Sequence, residues 1–121
     1  MKTILIADDE EAVRALIAAT LVDSSKYRVL MAVDGEEALR LVREEKPDLL
    51  LLDIMMPKKN GYEVCQELKE NQSTKDIKVV MLTALAGSIG RQKALGLGAD
   101  EYFTKPFSPM KLLQVVERMI E

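Results

Sequence analysis

Three aspartates follow two apolar runs in a way that predicts a metal site. Asp8 and Asp9 come directly after the run 3–7, and Asp53 directly follows the run 49–52. Carboxylates at the ends of buried strands are costly unless another charge offsets theirs. If a parallel sheet brings the two runs together, a bound divalent cation explains the three carboxylates better than packing does. Carboxylate oxygens suit Mg²⁺, with Mn²⁺ as the alternative.

Two further polar residues follow apolar runs and extend the predicted chemistry to phosphoryl transfer. Thr83 ends the run 78–83, and Lys105 follows the run 101–104. A transferring phosphoryl group spreads negative charge over its oxygens and needs a metal, a cation and hydrogen-bond donors around it. Lys105 supplies the cation and Thr83 a donor, while an aspartate can act as the nucleophile and form an aspartyl phosphate. Each residue alone has an ordinary explanation as a helix cap, turn residue, strand end or solvated charge, so the interpretation depends on all of them together.

The elements that must position these residues follow from apolar periodicity. Short runs rich in Ile, Leu, Val and Met are typical of strands buried on both faces, and five are present: 3–7, 28–32, 48–53, 78–83 and 101–104. Between them, apolar residues at helical spacing predict helices. The first, over 10–22, has its apolar positions at Val13, Leu16, Ile17 and Leu21.

Helix starts agree with this alternation. Asp34 with Glu37 three residues later predicts a capped start, and so does Ser108 before Pro109. Five strand–helix pairs predict a single α/β domain over 1–121, built on a doubly wound five-stranded parallel sheet with helices on both faces. Ligands bind such sheets outside the carboxyl ends of the strands, where the polar residues above are expected.

The composition restricts the class of protein. A chain of 121 residues with 48% hydrophobic and 31% charged residues is typical of one soluble globular domain. Its net charge of −3 argues against direct binding of nucleic acid. We find no membrane-spanning run and no secretory signal, and the single cysteine, Cys65, fits a cytoplasmic location. The absence of histidine excludes histidine acid–base catalysis and a phosphohistidine carried by this chain.

Six stretches resemble the receiver domain of two-component response regulators, of the kind found in chemotaxis regulators. The resemblance covers almost the whole chain. The stretches are ILIADDE at 4–10, AVDGEEA at 32–38, PDLLLLDIMMP at 47–57, NG at 60–61, LTA at 82–84 and GADEYFTKPF at 98–107. The resemblance implies a flavodoxin-like (βα)5 three-layer fold with the strand order 2-1-3-4-5, which sets the first and third strands side by side.

The resemblance also implies a role for each acidic residue. Asp53 is expected to be the phosphoacceptor. Asp8 and Asp9, with Asp53 and the backbone carbonyl of Met55, are expected to hold Mg²⁺. The chain would then be a signalling phosphoacceptor and not a multiple-turnover enzyme, although it would promote its own Mg²⁺-dependent phosphorylation and dephosphorylation.

The phosphoryl group and the switch involve residues of the last two strands. Thr83, Ala84 and Lys105 are expected to surround the phosphoryl group. In the family, movement of the threonine makes room for an aromatic side chain to turn inward, and the matching residue is Tyr102. The output surface would be the fourth helix, fifth strand and fifth helix. The fourth helix, predicted over 87–97, is weakened by glycines and is expected to be among the least stable segments.

Two apolar residues are predicted to set the lifetime of the phosphoryl group. Met55 and Leu85 follow the acceptor and the threonine by two positions. Neither side chain can orient a water for attack on phosphorus, so we expect slow autodephosphorylation. Met56 and Cys65 are expected to lie in the core.

The expected phosphodonor is a sensor histidine kinase or a histidine phosphotransfer protein, and the output partner or domain is unknown. This chain contains no predicted output domain, and neither membrane nor nucleic acid is an expected partner. Met1, just before the first strand, favours a receiver at the start of its protein. A single-domain regulator and the receiver of a longer protein both fit the pattern.

Three other readings remain open. A phosphohydrolase that forms an aspartyl phosphate usually carries a second aspartate two residues after the nucleophile, where this chain has Met55. A flavin module needs a Ser/Thr/Gly-rich phosphate loop after the first strand, where Asp8-Asp9-Glu10 would repel a phosphate. A phosphorylation-independent interaction module of the same fold is disfavoured by the complete set of five site residues.

Overall fold

Five parallel strands form one sheet in the computed structural model, which describes residues 1–22, 26–84 and 88–120. The strands are β1 (Lys2–Ala7), β2 (Tyr27–Ala32), β3 (Leu49–Asp53), β4 (Lys78–Thr83) and β5 (Glu101–Thr104). Their order is β2-β1-β3-β4-β5, so the predicted fold class and strand order are confirmed. Each predicted run matches its strand to within one residue at either end.

Within the ranges given above, five helices alternate with the strands. They are α1 (Glu11–Val22), α2 (Gly35–Glu45), α3 (Gly61–Glu70), α4 (Ser88–Gly96) and α5 (Pro109–Ile120). Both predicted caps are confirmed, because Asp34 accepts a hydrogen bond from the backbone N–H of Glu37 and Ser108 accepts one from Lys111. No helix in the described part of the chain is long and apolar enough to cross a membrane.

The sheet buries both of its faces. Successive residues of a strand point to opposite faces, and in β1 Leu5 packs into the core beneath α2, α3 and α4, whereas Ile4 and Ile6 pack into the core beneath α1 and α5. Every residue of β3 is buried. Burial on both faces explains why the central strands β1, β3 and β4 are largely continuous apolar runs and not alternating ones. Met56 and Cys65 lie in the first of these cores, as predicted.

Strand register brings the two acidic segments together. Ala7 of β1 pairs with Leu52 of β3, so the next residues of the two strands, Asp8 and Asp53, leave the sheet side by side. Behind Asp53, a Cβ atom on Gly61 would stand 2.4 Å from the carbonyl oxygen of Asp53. Only glycine allows this close approach, which packs the start of α3 directly against the end of β3.

Candidate functional site

Four carboxylates meet at the carboxyl edge of the sheet. Asp8, Asp9, Glu10 and Asp53 each supply an oxygen, and these atoms lie within 4.8 Å of one another. Asp8 is 1% exposed and Asp53 is 3% exposed, while Asp9 and Glu10 are exposed to solvent. The structure therefore brings together the three predicted aspartates. It also adds Glu10, whose position directly after Asp9 is its only sign in the sequence.

Lys105 enters the cluster from the loop after β5. Its ammonium nitrogen lies 2.7 Å from Asp8 Oδ2, 3.2 Å from Glu10 Oε1 and 3.5 Å from Asp53 Oδ2. Burial alone would lower the pKa of Lys105, but the hydrogen bond to Asp8 and the charges of Asp53 and Asp8 outweigh it, and the net pKa is raised. Lys105 is therefore a permanent cation at this edge, in contact with the predicted acceptor.

The charge on Asp53 is only partly compensated. Burial, and then the negative charge of Asp8, raise the pKa of Asp53 from 3.8 to about 6. Lys105 and a hydrogen bond from the backbone N–H of Met55, at 3.4 Å, act in the opposite direction without cancelling the effect. A further positive charge next to Asp53 would favour its ionised form.

A pocket of about 220 Å³ opens onto the cluster. It is lined by Asp9, Glu10, Asp53, Met55, Ala84 and Lys105. Met55 is 59% exposed and lines this pocket, and its effect on the lifetime of the phosphoryl group stays a prediction. Leu85, the other residue predicted to set the lifetime of the phosphoryl group, lies outside the described residues.

Thr83 is the one predicted phosphoryl-binding residue that does not line the pocket. It is fully buried at the end of β4, and its carbonyl oxygen accepts a hydrogen bond of 2.7 Å from the backbone N–H of Lys105. This bond joins the ends of β4 and β5. The neighbouring Ala84 lines the pocket instead, and its small side chain leaves the acceptor accessible.

Tyr102 lies inside the fold. It is 5% exposed and packs with the core beneath α2, α3 and α4. The Tyr102 side chain is therefore turned inward in this structure, and its role as a switch residue stays a prediction.

A larger groove of about 490 Å³ lies between α2 and a surface formed by Lys58, Lys59 and Glu67 of α3. Its charged lining residues include the ion pairs Lys58–Asp34 and Lys59–Glu67. None of the predicted site residues that the structure describes lines it. Size alone therefore does not identify the functional site. The smaller pocket is the one lined by the clustered carboxylates and Lys105.

The donor atoms of the cluster fit a hard divalent cation. All four are carboxylate oxygens, which Mg²⁺ and Mn²⁺ prefer over nitrogen or sulfur ligands. Two of them belong to the buried aspartates Asp8 and Asp53, and Lys105 does not fully offset the charge of Asp53. The residues present therefore suit the predicted ion.

Comparison with known proteins gives a consistent result. The family model described as "Response regulator receiver domain" matches residues 4–117. The chain is 48% identical over 109 residues to a probable transcriptional regulator, ycf27, of Guillardia theta, covering 90% of this chain and 41% of that protein. It is 45% identical to the alkaline phosphatase synthesis transcriptional regulatory protein PhoP of Bacillus subtilis, covering 92% of this chain and 45% of that protein.

Solved structures show the same similarity in three dimensions. The chemotaxis protein CheY4 of Vibrio cholerae superposes with a TM-score of 0.89 at 30% identity, covering 98% of both chains. A response regulator of Chloroflexus aurantiacus superposes with a TM-score of 0.92 at 32% identity, covering 98% of this chain and 97% of the other. The chain spans less than half the length of the two curated relatives described above.

Proposed function

This chain belongs to the response regulator receiver family, and from that membership we propose that Asp53 is the residue that accepts the phosphoryl group. The observation that carries the proposal is the position of Asp53. It is a nearly buried carboxylate at the end of β3, it lines a pocket open to solvent, and Lys105 lies 3.5 Å away. In this proposal the chain acts as a two-component signalling domain, and Asp53 is the residue that is chemically modified.

The transfer needs an ionised Asp53. One carboxylate oxygen forms a bond to phosphorus while the bond from phosphorus to the leaving group breaks, and the leaving group takes that electron pair. Because the nucleophile is already ionised, no base has to remove a proton from it. Lys105 stabilises the ionised acceptor beforehand and is placed to pair with phosphoryl oxygens afterwards.

We assign Mg²⁺, or Mn²⁺ in its place, to Asp8, Asp9, Asp53 and the backbone carbonyl of Met55. When bound, the cation neutralises charge on the phosphoryl oxygens. Asp8 and Asp53 present their carboxylates from adjacent strands, and Asp9 presents its own at the pocket. Thr83 would donate its hydroxyl to the phosphorylated acceptor after a small movement from its buried position, with Tyr102 responding in β5.

The proposed donor is a sensor histidine kinase or a histidine phosphotransfer protein. The chain has no histidine, so a phosphohistidine must come from outside these 121 residues. The proposed output surface is α4, β5 and α5, acting on a partner or a further domain in the cytoplasm. The similarity to transcriptional regulators, each more than twice as long as the matched region, favours a domain that acts on transcription as the output.

Phosphorylation of the intact protein tests the proposal. Incubation with Mg²⁺ and acetyl phosphate should add one phosphate to the intact mass, and Asp53→Asn should abolish the adduct. Asp76→Asn is the matched control, because Asp76 is exposed and lies outside the carboxylate cluster. An adduct that survives Asp53→Asn would show that another residue is the acceptor. The absence of any adduct would favour a phosphorylation-independent interaction module.

A further inference from the structure

Glu10 is a member of the carboxylate cluster to which neither the resemblance nor the proposed chemistry gives a role. Its Oε1 atom lies 3.2 Å from the ammonium nitrogen of Lys105, and its carboxylate lies within 4.8 Å of the cluster oxygens. Its side chain is 61% exposed, unlike those of Asp8 and Asp53. Glu10 therefore reaches Lys105 from the solvent side of the pocket.

The backbone of Glu10 is held firmly although its side chain is exposed. Its N–H donates to Asp8 Oδ1 at 2.9 Å. Its carbonyl oxygen accepts from the N–H of Arg14 at 3.1 Å, and this hydrogen bond closes the first turn of α1. The guanidinium of Arg14 also donates to the carbonyl oxygen of Asp8 at 2.7 Å. The loop from β1 to α1 is thus fixed, and it presents the Glu10 side chain at one place beside the pocket.

Lys105 and a bound cation compete for the same carboxylates. Asp8 Oδ2 is the closest carboxylate oxygen to the Lys105 ammonium, at 2.7 Å, and Asp53 Oδ2 is also in contact, at 3.5 Å. Both aspartates are proposed metal ligands, and a cation between them also repels the ammonium. Among the three carboxylates that contact Lys105 in the described structure, Glu10 alone is not a proposed ligand. It is the acceptor that stays available when the other two are occupied.

We infer that Glu10 is a positioning residue that keeps the Lys105 ammonium at the pocket when a divalent cation takes Asp8 and Asp53. The inference rests on the proposed metal site. Without Glu10, a displaced ammonium has to turn to solvent or remain beside the cation, and either alternative makes cation binding less favourable. Glu10 thereby couples two steps, because it keeps the lysine in reach of the phosphoryl group while the metal site fills.

The test is a Mg²⁺ titration of the full chain by calorimetry. Glu10→Gln should weaken Mg²⁺ binding about two- to fivefold, the range that an exposed ion pair supports. Glu11→Gln is the matched control, because it removes the same charge from an adjacent exposed residue outside the cluster. Glu11→Gln should weaken Mg²⁺ binding less than Glu10→Gln does. In a Lys105→Ala background, the effect of Glu10→Gln should fall to that of Glu11→Gln, since Glu10 acts through the lysine.

A second readout does not depend on the Lys105→Ala variant folding. The rate at which acetic anhydride modifies Lys105, followed by mass spectrometry at saturating Mg²⁺, should rise in Glu10→Gln and stay unchanged in Glu11→Gln. Equal effects of the two variants in both measurements would overturn the inference. An effect of Glu10→Gln that persists without Lys105 would also overturn it, because Glu10 would then act on the cation directly. A wild-type chain that binds no Mg²⁺ would overturn the proposed metal site itself.

Discussion

The phenolic oxygen of Tyr102 lies 3.1 Å from the point where a Cβ atom would stand on Gly90. The hydroxyl of Tyr62 lies 3.5 Å from the same point and donates to the Gly90 carbonyl oxygen, also at 3.5 Å. The missing side chain of Gly90 therefore leaves the space in which Tyr102 is buried. Gly90 links α4 to the proposed switch residue of β5 at one point of close packing.

Replacing Gly90 separates this packing role from ordinary helix propensity. Gly→Ala within a helix is worth up to about 1 kcal/mol. Among the described residues, no atom lies within 4 Å of the Cβ position of Gly96, which is also in α4, so Gly96→Ala should increase the free energy of unfolding by about 0.5–1 kcal/mol. Gly90→Ala should gain less or destabilise, because its methyl group is too close to Tyr102. Urea denaturation measures both.

Removing the hydroxyl of Tyr102 should restore the gain in stability that an alanine at position 90 would otherwise give. In a Tyr102→Phe background, Gly90→Ala should stabilise as Gly96→Ala does, because the atom 3.1 Å away is gone. If the two alanine variants already gain equally in the wild-type background, Gly90 does not control the position of Tyr102.

The raised pKa of Asp53 predicts that the acceptor lowers the stability of the metal-free protein at neutral pH. The folded state binds the Asp53 proton with a pKa of about 6 against 3.8 for the ordinary side chain. The unfolded state therefore loses this proton first, and stability should fall as pH rises from about 4 to 6 and then level off. Asp53→Asn should be more stable than the wild type at pH 7 by about 1–2 kcal/mol. This range is smaller than the full pKa shift would give, because solvent in the open pocket screens the charge of Asp53.

Chemical denaturation in a chelator, repeated across pH, measures this difference. It should shrink below pH 4, where the wild-type carboxyl is protonated in both states. Asp76→Asn, at an exposed position, should show no such pH-dependent gain. Added Mg²⁺ should stabilise the wild type and leave Asp53→Asn largely unaffected. A variant less stable than the wild type at pH 7 without metal would contradict the electrostatic account.

The central strands β1, β3 and β4 could be predicted closely because both of their faces are covered. A strand buried on both sides has to be apolar throughout, so its limits are visible where polar residues begin, as at Asp8 and Asp53. The order of the strands in the sheet could not be predicted from apolar patterns in this way. Alternating strands and helices leave several orders open, and the order came from the resemblance, with the register of Ala7 opposite Leu52 known only from the structure.

Side-chain positions were less predictable than elements. Leu16 follows the helical spacing of α1 as Ile17 and Leu21 do, yet it is 48% exposed, because periodicity does not show where a packed face ends. Glu10 was missed for a related reason. Its reach to Lys105 depends on the conformation of the loop before α1 and on two long side chains, which no local pattern specifies.

Hydrogen exchange should identify α4 as a weak part of the fold. The helix has only nine residues with glycines at 90 and 96, and Ala94 is the one buried side chain among residues 90–96. α1 has twelve residues and buries Ile17 and Leu21 completely or nearly so. Amides of α4 should open with a free energy at least about 1 kcal/mol lower than those of α1. Equal protection in the two helices would remove the basis for treating α4 as a readily displaced element.

Met55 should slow the loss of the phosphoryl group. Hydrolysis needs a water in line with phosphorus, and the thioether at the pocket is too weak an acceptor to orient one. Met55→Asn supplies an amide there and should speed the decay of the phosphate adduct about three- to tenfold once the donor is removed. Met110→Asn is the matched control, because Met110 is a similarly exposed methionine at the start of α5. The same decay rate in the wild type and Met55→Asn, or the same acceleration in both variants, would show that this side chain does not determine how long the signal lasts.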